Sequence, residues 1–570
     1  MSSRPQPSKG KIIQALGVAL LFAFLLAPNI YAVCVATDLT YSIFKQAGYF
    51  FVVVLCLLLP ALIFKRKVYF LLEGIFTLLL APIETASLYL NRMPVSPLFM
   101  RVITNTNIRE ASELLVSSIP LVIAIISLWT LYFFLVFRLL DNTWLLSRRV
   151  RHVICYAIPI ALVSGIAFSY HTQKTTNSDR GLKSVVRLSA QTLTMKFNKI
   201  FPYDIYISLH NISAERREIR RQSEQIGNFS FGIEQKNDSV PEVYVLVIGE
   251  AARAANFSLN GYARKTSPLL DAEENVVSFA CAFSSANVTE VSVPMMLTRA
   301  TNDNPKSAYS EKSVVEAFQE AGFSTAWLTS KTPFAFTSRI IETTDSRFVN
   351  SRGTDAADNY DMLLTDKLHT VLDTTTAQKL FIVIHHTGSH FKYSQRYPDE
   401  FEVFRPALGK DAGYNTITKN NREILVNAYD NSILYTDWCL SHIIELLRAR
   451  HCPAALVYMS DHGENLYDDG GDLVLHCTYS GSRYEFNVPF VVWYSDEYGR
   501  QEPQKTKELH LNSTKLVSSD ALFHSLLDMA SIPTPCLDSS LSVFETAYIE
   551  PDSVSCITAS GKRIFFGRDD

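Results

Sequence analysis

Two short strings, roughly two hundred residues apart, carry side chains that could share one metal ion: Val247-Ile248-Gly249-Glu250 and Met459-Ser460-Asp461-His462-Gly463. Each ends a run of β-branched and aromatic apolar residues, 243–248 and 455–459. Such runs read as strands buried on both faces. In an open α/β sheet, ligands and metals sit in the crevice beyond the carboxyl ends of the strands. Two carboxylates and an imidazole delivered there would surround one divalent cation. A set rich in oxygen with one nitrogen suits zinc in a catalytic rather than a structural role.

The elements that must position these groups are legible as alternating signals beyond about residue 240. Strands are expected at 243–248, 324–328, 379–384, 455–459 and 488–493, and helices at 313–321, 428–448 and 518–529. The strand at 379–384 runs into His385-His386-Thr387-Gly388-Ser389-His390. This alternation predicts an α/β domain with a mainly parallel sheet and helices on both faces. Between the first two strands lie Ser284, Ser285, Asn287, Thr289 and Ser292, just before a predicted helix. Ser292 before Val293-Pro294 reads as a helix cap, with the proline near the first helical position. Taken singly, Thr289 has the same structural reading.

A chain of 570 residues exceeds one ordinary domain, and its 48% hydrophobic content is concentrated in the first 170 residues. Apolar stretches at about 12–33, 48–64, 68–90, 118–137 and 152–170 predict five membrane spans. Lys9 and Lys11 precede the first, Lys65, Arg66 and Lys67 separate the second and third, and Arg138, Arg148, Arg149 and Arg151 separate the last two. The positive-inside rule then sets the N-terminus in the cytoplasm and everything beyond residue 170 on the far side, the periplasm of a two-membrane bacterium. A count of four spans would reverse the second placement. The predicted plan is a transmembrane domain at 1–170, an interfacial linker at 171–240 with an amphipathic stretch, and a soluble domain at 241–570. Arg216, Arg217, Arg220 and Arg221 read as a solvated face. The polar loop from Thr104 to Glu113 is either solvated or a head-group patch. The nine cysteines form no CxxC pair, which argues against a thiolate metal site, although Cys536 and Cys556 could pair in an oxidising compartment. A net charge of −3 without a basic stripe gives no sign of nucleic-acid binding.

The ordered set Gly249-Glu250-Ala251-Ala252-Arg253, Thr289-x-x-Ser292-Val293-Pro294, Gly388-Ser389-His390, Tyr429-Asp430-Asn431 and Ser460-Asp461-His462-Gly463-Glu464 resembles the membrane phosphoethanolamine transferases, members of the alkaline phosphatase and sulfatase superfamily. The resemblance covers nearly the whole chain. It implies five membrane helices followed by a periplasmic, alkaline-phosphatase/sulfatase-like αβα sandwich. It also implies zinc held by Glu250, Thr289, Asp461 and His462, with Thr289 as nucleophile, and leaves room for a second zinc. His390 and His476 match substrate-side histidines, and Thr106 and Glu110 match positions facing a lipid head group. The implied reaction moves phosphoethanolamine from phosphatidylethanolamine to lipopolysaccharide or another envelope glycan, through a phosphoethanolamine–threonine intermediate. Members that modify lipid A carry cysteines where this chain has Ser285 and Met295, so the expected acceptor is a core sugar rather than lipid A.

Three other readings compete. A sulfatase nucleophile string, Cys or Ser-x-Pro-x-Arg, is approached at Ser292-Val293-Pro294 but lacks the arginine. A phosphoglycerol transferase would share the membrane plan and the threonine, but the Gly-Glu-x-x-Arg and Gly-Ser-His strings argue against it. A membrane-anchored binding protein with a dead site would not need every expected ligand.

Overall fold

The computed structural model describes residues 9–36, 43–105, 119–176, 199–235, 240–350 and 360–568. They divide into two compact units, one ending at Glu215 and the other starting at Arg216. The first unit is helical. Three of its helices are long and apolar enough to cross a membrane, over Ile12–Val35, Arg66–Tyr89 and Val122–Leu139. A shorter apolar helical stretch covers Gln46–Leu62. The fifth stretch expected from the sequence falls within a helix at Arg148–Thr176 that is not among the candidate spans. Large apolar side chains such as Leu16, Phe51, Leu79 and Ile123 point outward, as a lipid-facing surface requires. Inside, Gly74 lets Tyr132 approach closely: a Cβ there would lie 2.4 Å from the ring.

Asn29 is a buried polar group in this apolar setting, and it is fully used. Its side chain donates to Phe201 O (3.2 Å), accepts from Phe201 N (3.1 Å) and accepts from the Tyr49 hydroxyl (2.8 Å). That clamp fixes the start of the helix Tyr203–Ile226. Arg216, Arg217, Arg220 and Arg221 lie exposed on this helix. Of the amphipathic stretch expected at 182–209, residues 182–198 lie outside the described residues, as do Thr106 and Glu110.

The second unit is built on a seven-stranded sheet. In chain order its strands are β1 (Glu242–Gly249), β2 (Val276–Phe279), β4 (Ser324–Thr329), β5 (Ser346–Val349), β6 (Lys379–His385), β7 (Ala454–Ser460) and β10 (Phe490–Tyr494). Short pairs fill the gaps: β3 (Ala282–Phe283) with β11 (Val517–Ser518), and β8 (Asn465–Leu466) with β9 (Val474–Leu475). The order across the main sheet is β2-β10-β7-β1-β6-β4-β5. Pairing is parallel from β7 to β5, as the alternating pattern predicts. β10 reverses direction against both β7 and β2. No crossover helix separates β7 from β10, and an antiparallel return needs none.

β1 explains its own composition. Tyr244, Leu246 and Ile248 enter one apolar core, while Val243, Val245 and Val247 enter the other. Every position is buried, so the strand carries no polar alternation. The helix Arg422–Arg448 covers the second face with Leu425, Tyr429, Ile433, Leu440 and Ile444. At the amino end of the sheet, Lys379 Nζ sits 2.5 Å from Glu242 Oε1, and the Tyr244 hydroxyl donates to Glu242 Oε2 (2.9 Å). Replacing Lys379 with Met strands a buried carboxylate and should destabilise the protein by about 3–5 kcal/mol. Adding Glu242→Gln should recover most of that loss. Thermal unfolding of the detergent-solubilised variants checks both.

Candidate metal and phosphoryl-transfer site

The register of the central strands places the site. Gly249 on β1 pairs with Ser460 on β7, so the next residues, Glu250 and Asp461, emerge side by side. Both are fully buried, as is His462. Their ligand atoms lie within 4.8 Å of one another, a grouping suited to a metal ion. His462 Nε2 is 3.5 Å from Glu250 Oε1 and 3.5 Å from Asp461 Oδ2. Thr289 Oγ1 completes the set, 3.3 Å from His462 Nε2 and 3.5 Å from Glu250 Oε1.

Three details favour a cation at this point. Asp461 Oδ2 is buried and has no hydrogen-bond partner, whereas Oδ1 accepts from His462 N (2.8 Å) and Ala251 N (3.3 Å). An orphaned carboxylate oxygen in a dry site demands a positive partner. His462 Nδ1 lies 2.9 Å from Gly463 O, which fixes its proton there and leaves the Nε2 lone pair facing the carboxylates. Finally, Lys331 forms an ion pair with Glu250 Oε2. Burial opposes charge on Asp461, but His462 and Lys331 outweigh it and hold the carboxyl below its usual range.

Thr289 opens the helix Thr289–Met296. The sequence suggested that Ser292 caps this helix near Pro294; instead the helix begins one turn earlier, and Val288 is its cap residue. The reason is that Val288 already has extended backbone, and its carbonyl accepts from both Val291 N and Ser292 N (2.9 Å each). Thr289 therefore stands at the positive end of the helix dipole. The pairing considered for Cys536 and Cys556 is not made, since both are free thiols.

The two remaining histidines meet beside this set. Glu464 follows His462 at the end of the same loop, and the β8–β9 hairpin returns the chain to it at His476. His476 Nδ1 is 2.8 Å from Glu464 Oε2, and the Tyr393 hydroxyl donates to Glu464 Oε1 (2.9 Å). His462 and His476 have ring centroids 4.2 Å apart, and His390 and His476 5.8 Å. His462, Glu464 and His476 thus form a second group able to hold a metal. Burial lowers the His390 imidazole well below the usual histidine range, aided by Arg396 and His476. Burial acts the same way on His476, but Cys477 and Glu464 outweigh it and push that imidazole well above the range.

Sequence reasoning gave no role to Lys331, Glu464 or His385. Lys331 stands two residues beyond the end of β4, and that position at a strand end was its available signal. His385 ends β6 and, with Thr289, Lys331 and Trp327, lines a cavity of about 20 Å³. That is room for about one water.

Gly388 has φ +55, and a Cβ there would lie 2.7 Å from Glu250 O and 2.9 Å from Glu250 N. Its missing side chain lets the 386–390 loop pack on the carboxylate's own backbone, where Ser389 N donates to Glu250 O (2.9 Å). Gly388→Ala should displace Glu250, reduce bound metal and lower activity by about 100-fold. Gly409→Ala, with open space around it, is the control and should change neither quantity. Metal analysis of the purified proteins reads the difference.

A family model described as Sulfatase matches residues 242–532, just over half of the chain. The chain is 25% identical over 521 residues to phosphoethanolamine transferase EptC of Escherichia coli, covering 86% of this chain and 85% of that protein. The first curated relatives, headed by the E. coli putative transferase YhbX, are matched over only about half to three-fifths of their length. A crystal structure of the C-terminal periplasmic domain of E. coli EptC in complex with Zn superposes with TM-score 0.53 and 26% identity, covering 59% of this chain and 95% of that one. The integral membrane lipooligosaccharide phosphoethanolamine transferase A of Neisseria meningitidis shares the fold across 93% of this chain and 98% of its own, with TM-score 0.67 and 22% identity. The chain belongs to the sulfatase family, and within it resembles the membrane phosphoethanolamine transferases.

Proposed function

We propose that the protein transfers phosphoethanolamine from phosphatidylethanolamine to an envelope glycan, with lipopolysaccharide core sugar preferred over lipid A. The observation that carries this reading is the convergence of Thr289 Oγ1 on Glu250, His462 and the unpartnered Asp461 Oδ2. Those four residues would hold one zinc, as the zinc-bound EptC domain suggests by analogy. The ion would lower the proton affinity of the Thr289 hydroxyl and offset charge on the phosphate oxygens.

The rest follows from the chain's own groups. Thr289 Oγ1 forms a bond to phosphorus as the bond from phosphorus to the glycerol oxygen breaks. The threonine proton ends on the departing diacylglycerol. His476, held by Glu464 and with His390 beside it, would hand a proton to that oxygen. An acceptor hydroxyl then attacks the same phosphorus, and Thr289 regains its proton. Lys331, now ion-paired with Glu250, would turn to a phosphate oxygen when a metal ion takes up the carboxylates. With His462 committed to the first zinc, Glu464 and His476 are the groups that would remain for a second.

The apolar helices support a membrane protein, and a lipid donor would then reach the site from the same bilayer. The proposed arrangement is a bacterial inner-membrane protein with five spans over 1–170, a cytoplasmic N-terminus, a linker over 171–240 and a periplasmic catalytic domain over 241–570. Thr106 and Glu110 are proposed to meet the donor head group.

Intact-protein mass spectrometry after incubation with phosphatidylethanolamine should show one phosphoethanolamine increment, located on Thr289 by peptide mapping. Thr289→Ala should lose that increment and diacylglycerol release together. Transfer that persists in Thr289→Ala would remove the covalent step. Turnover of phosphatidylglycerol in place of phosphatidylethanolamine would reassign the donor.

A further inference from the structure

The segment that delivers Thr289, residues 284–288, lies between β3 and the helix and is held both by backbone bonds to Ile557 and by side-chain contacts. Ser284 donates through its hydroxyl to the Asp461 carbonyl, and its N–H to Phe486 O (2.7 Å). Asn287 Nδ2 donates to Glu485 Oε1 (2.8 Å) and Thr478 O (3.0 Å). Ser285 reaches elsewhere. Its N–H donates to Ser519 Oγ (3.0 Å), the two hydroxyls lie 2.7 Å apart, and Ser285 Oγ donates to Asp520 Oδ1 (2.6 Å).

Burial raises the Asp520 carboxyl to about 6, which still leaves it ionised at neutral pH, and in that state the three contacts admit one proton arrangement. Asp520 Oδ1 takes the Ser285 hydroxyl proton, so Ser285 Oγ must accept from Ser519. Ser519 Oγ in turn accepts from Ser285 N. The chain is directional and ends on a carboxylate, which makes it stronger and more exacting than a neutral contact. Ser285 and Ser519 are both fully buried, and Asp520 is half-buried. The far end is rigid. Ser519 and Asp520 lead directly into the helix Ala521–Met529, all of whose side chains are buried. Ser519 N also donates to Phe283 O (2.8 Å), and Asn302 Nδ2 donates to Ser285 O (3.0 Å).

We propose that Ser285, Ser519 and Asp520 form a hydrogen-bonded brace that positions Thr289 for attack, with Asp520 as its fixed acceptor. Asp520 touches no substrate in this scheme and acts only through Ser285. The proposal rests on Thr289 being the nucleophile. Misplacement of a reacting group by about 1 Å can cost about 100-fold in rate. Glu250, Asp461 and His462 keep their places when Thr289 shifts, so the brace is read chiefly in kcat, with little change in donor binding or metal uptake.

The test uses the full-length protein in mixed micelles with phosphatidylethanolamine, following diacylglycerol release and the rate of Thr289 adduct formation in a single turnover. Asp520→Ala should lower kcat by about 10–100-fold. KM and zinc content per folded protein should stay within about twofold of the wild type. Asp520→Asn keeps an oxygen acceptor for Ser285 and should restore most of the rate. Ser285→Ala, a smaller change, should lower kcat by itself and add little to Asp520→Ala, because both break one chain. A kcat unchanged in both Asp520→Ala and Ser285→Ala would overturn the brace. So would a loss explained wholly by lower zinc content or lower folded fraction. Failure of the underlying reading looks different: Thr289→Ala would still release diacylglycerol.

Discussion

Two carboxylates and an imidazole with no exposure to solvent cannot stand together without a positive charge. Like charges in a dry site repel strongly, and desolvation penalises each of them further. Here the backbone enforces the meeting. The pairing of Gly249 with Ser460 puts Glu250 beside Asp461 whatever their side chains prefer. Lys331 answers part of the demand, and a divalent ion would answer the rest. Much of the surrounding structure follows from holding this unfavourable cluster in place.

The holding is done chiefly by backbone groups. Asp461 Oδ1 accepts two N–H groups, Glu250 O accepts Ser389 N, and His462 is fixed by the carbonyl of its neighbour. Backbone donors on strand ends move little, so the geometry is set before any ligand arrives. Arg253 extends the same logic outward. It donates to Glu464 O (3.2 Å), Asp468 Oδ2 (2.7 Å) and Asn256 Oδ1 (2.5 Å), joining the β1 end to the loop beyond β7. Asn256 then donates to Asp430 on the long helix, so three elements share one buried network. Such a network is stable only when complete.

The parts visible in the sequence were those with strong local patterns. The continuous apolar runs of β1, β6 and β7 announced buried parallel strands, and charged residues at their ends announced a site. Thr289 could not be separated from an ordinary helix cap by local pattern, because threonine at a helix start serves either purpose. It became distinctive only through the ordered set of motifs around it. Lys331 was missed because a lone lysine after a strand resembles any solvated loop residue. The reversal of β10 was equally silent, since hydrophobic periodicity carries no strand direction. Five apolar stretches were legible, and among the described residues three helices are long and apolar enough to cross a membrane, while the helical stretch at Gln46–Leu62 is shorter.

The β8–β9 hairpin separates the site into halves with unequal freedom. Glu250, Asp461 and His462 are rooted in the central sheet, and a change in chain length there would shift a strand register shared with two neighbours. His476 is rooted instead at the far end of an excursion that leaves and rejoins at Glu464. Lineages that lengthen or shorten residues 467–473 can thus remodel the rim of the cleft while its floor stays the same. The His476 side of the site has room to change in this architecture; the cluster of Glu250, Asp461 and His462 does not.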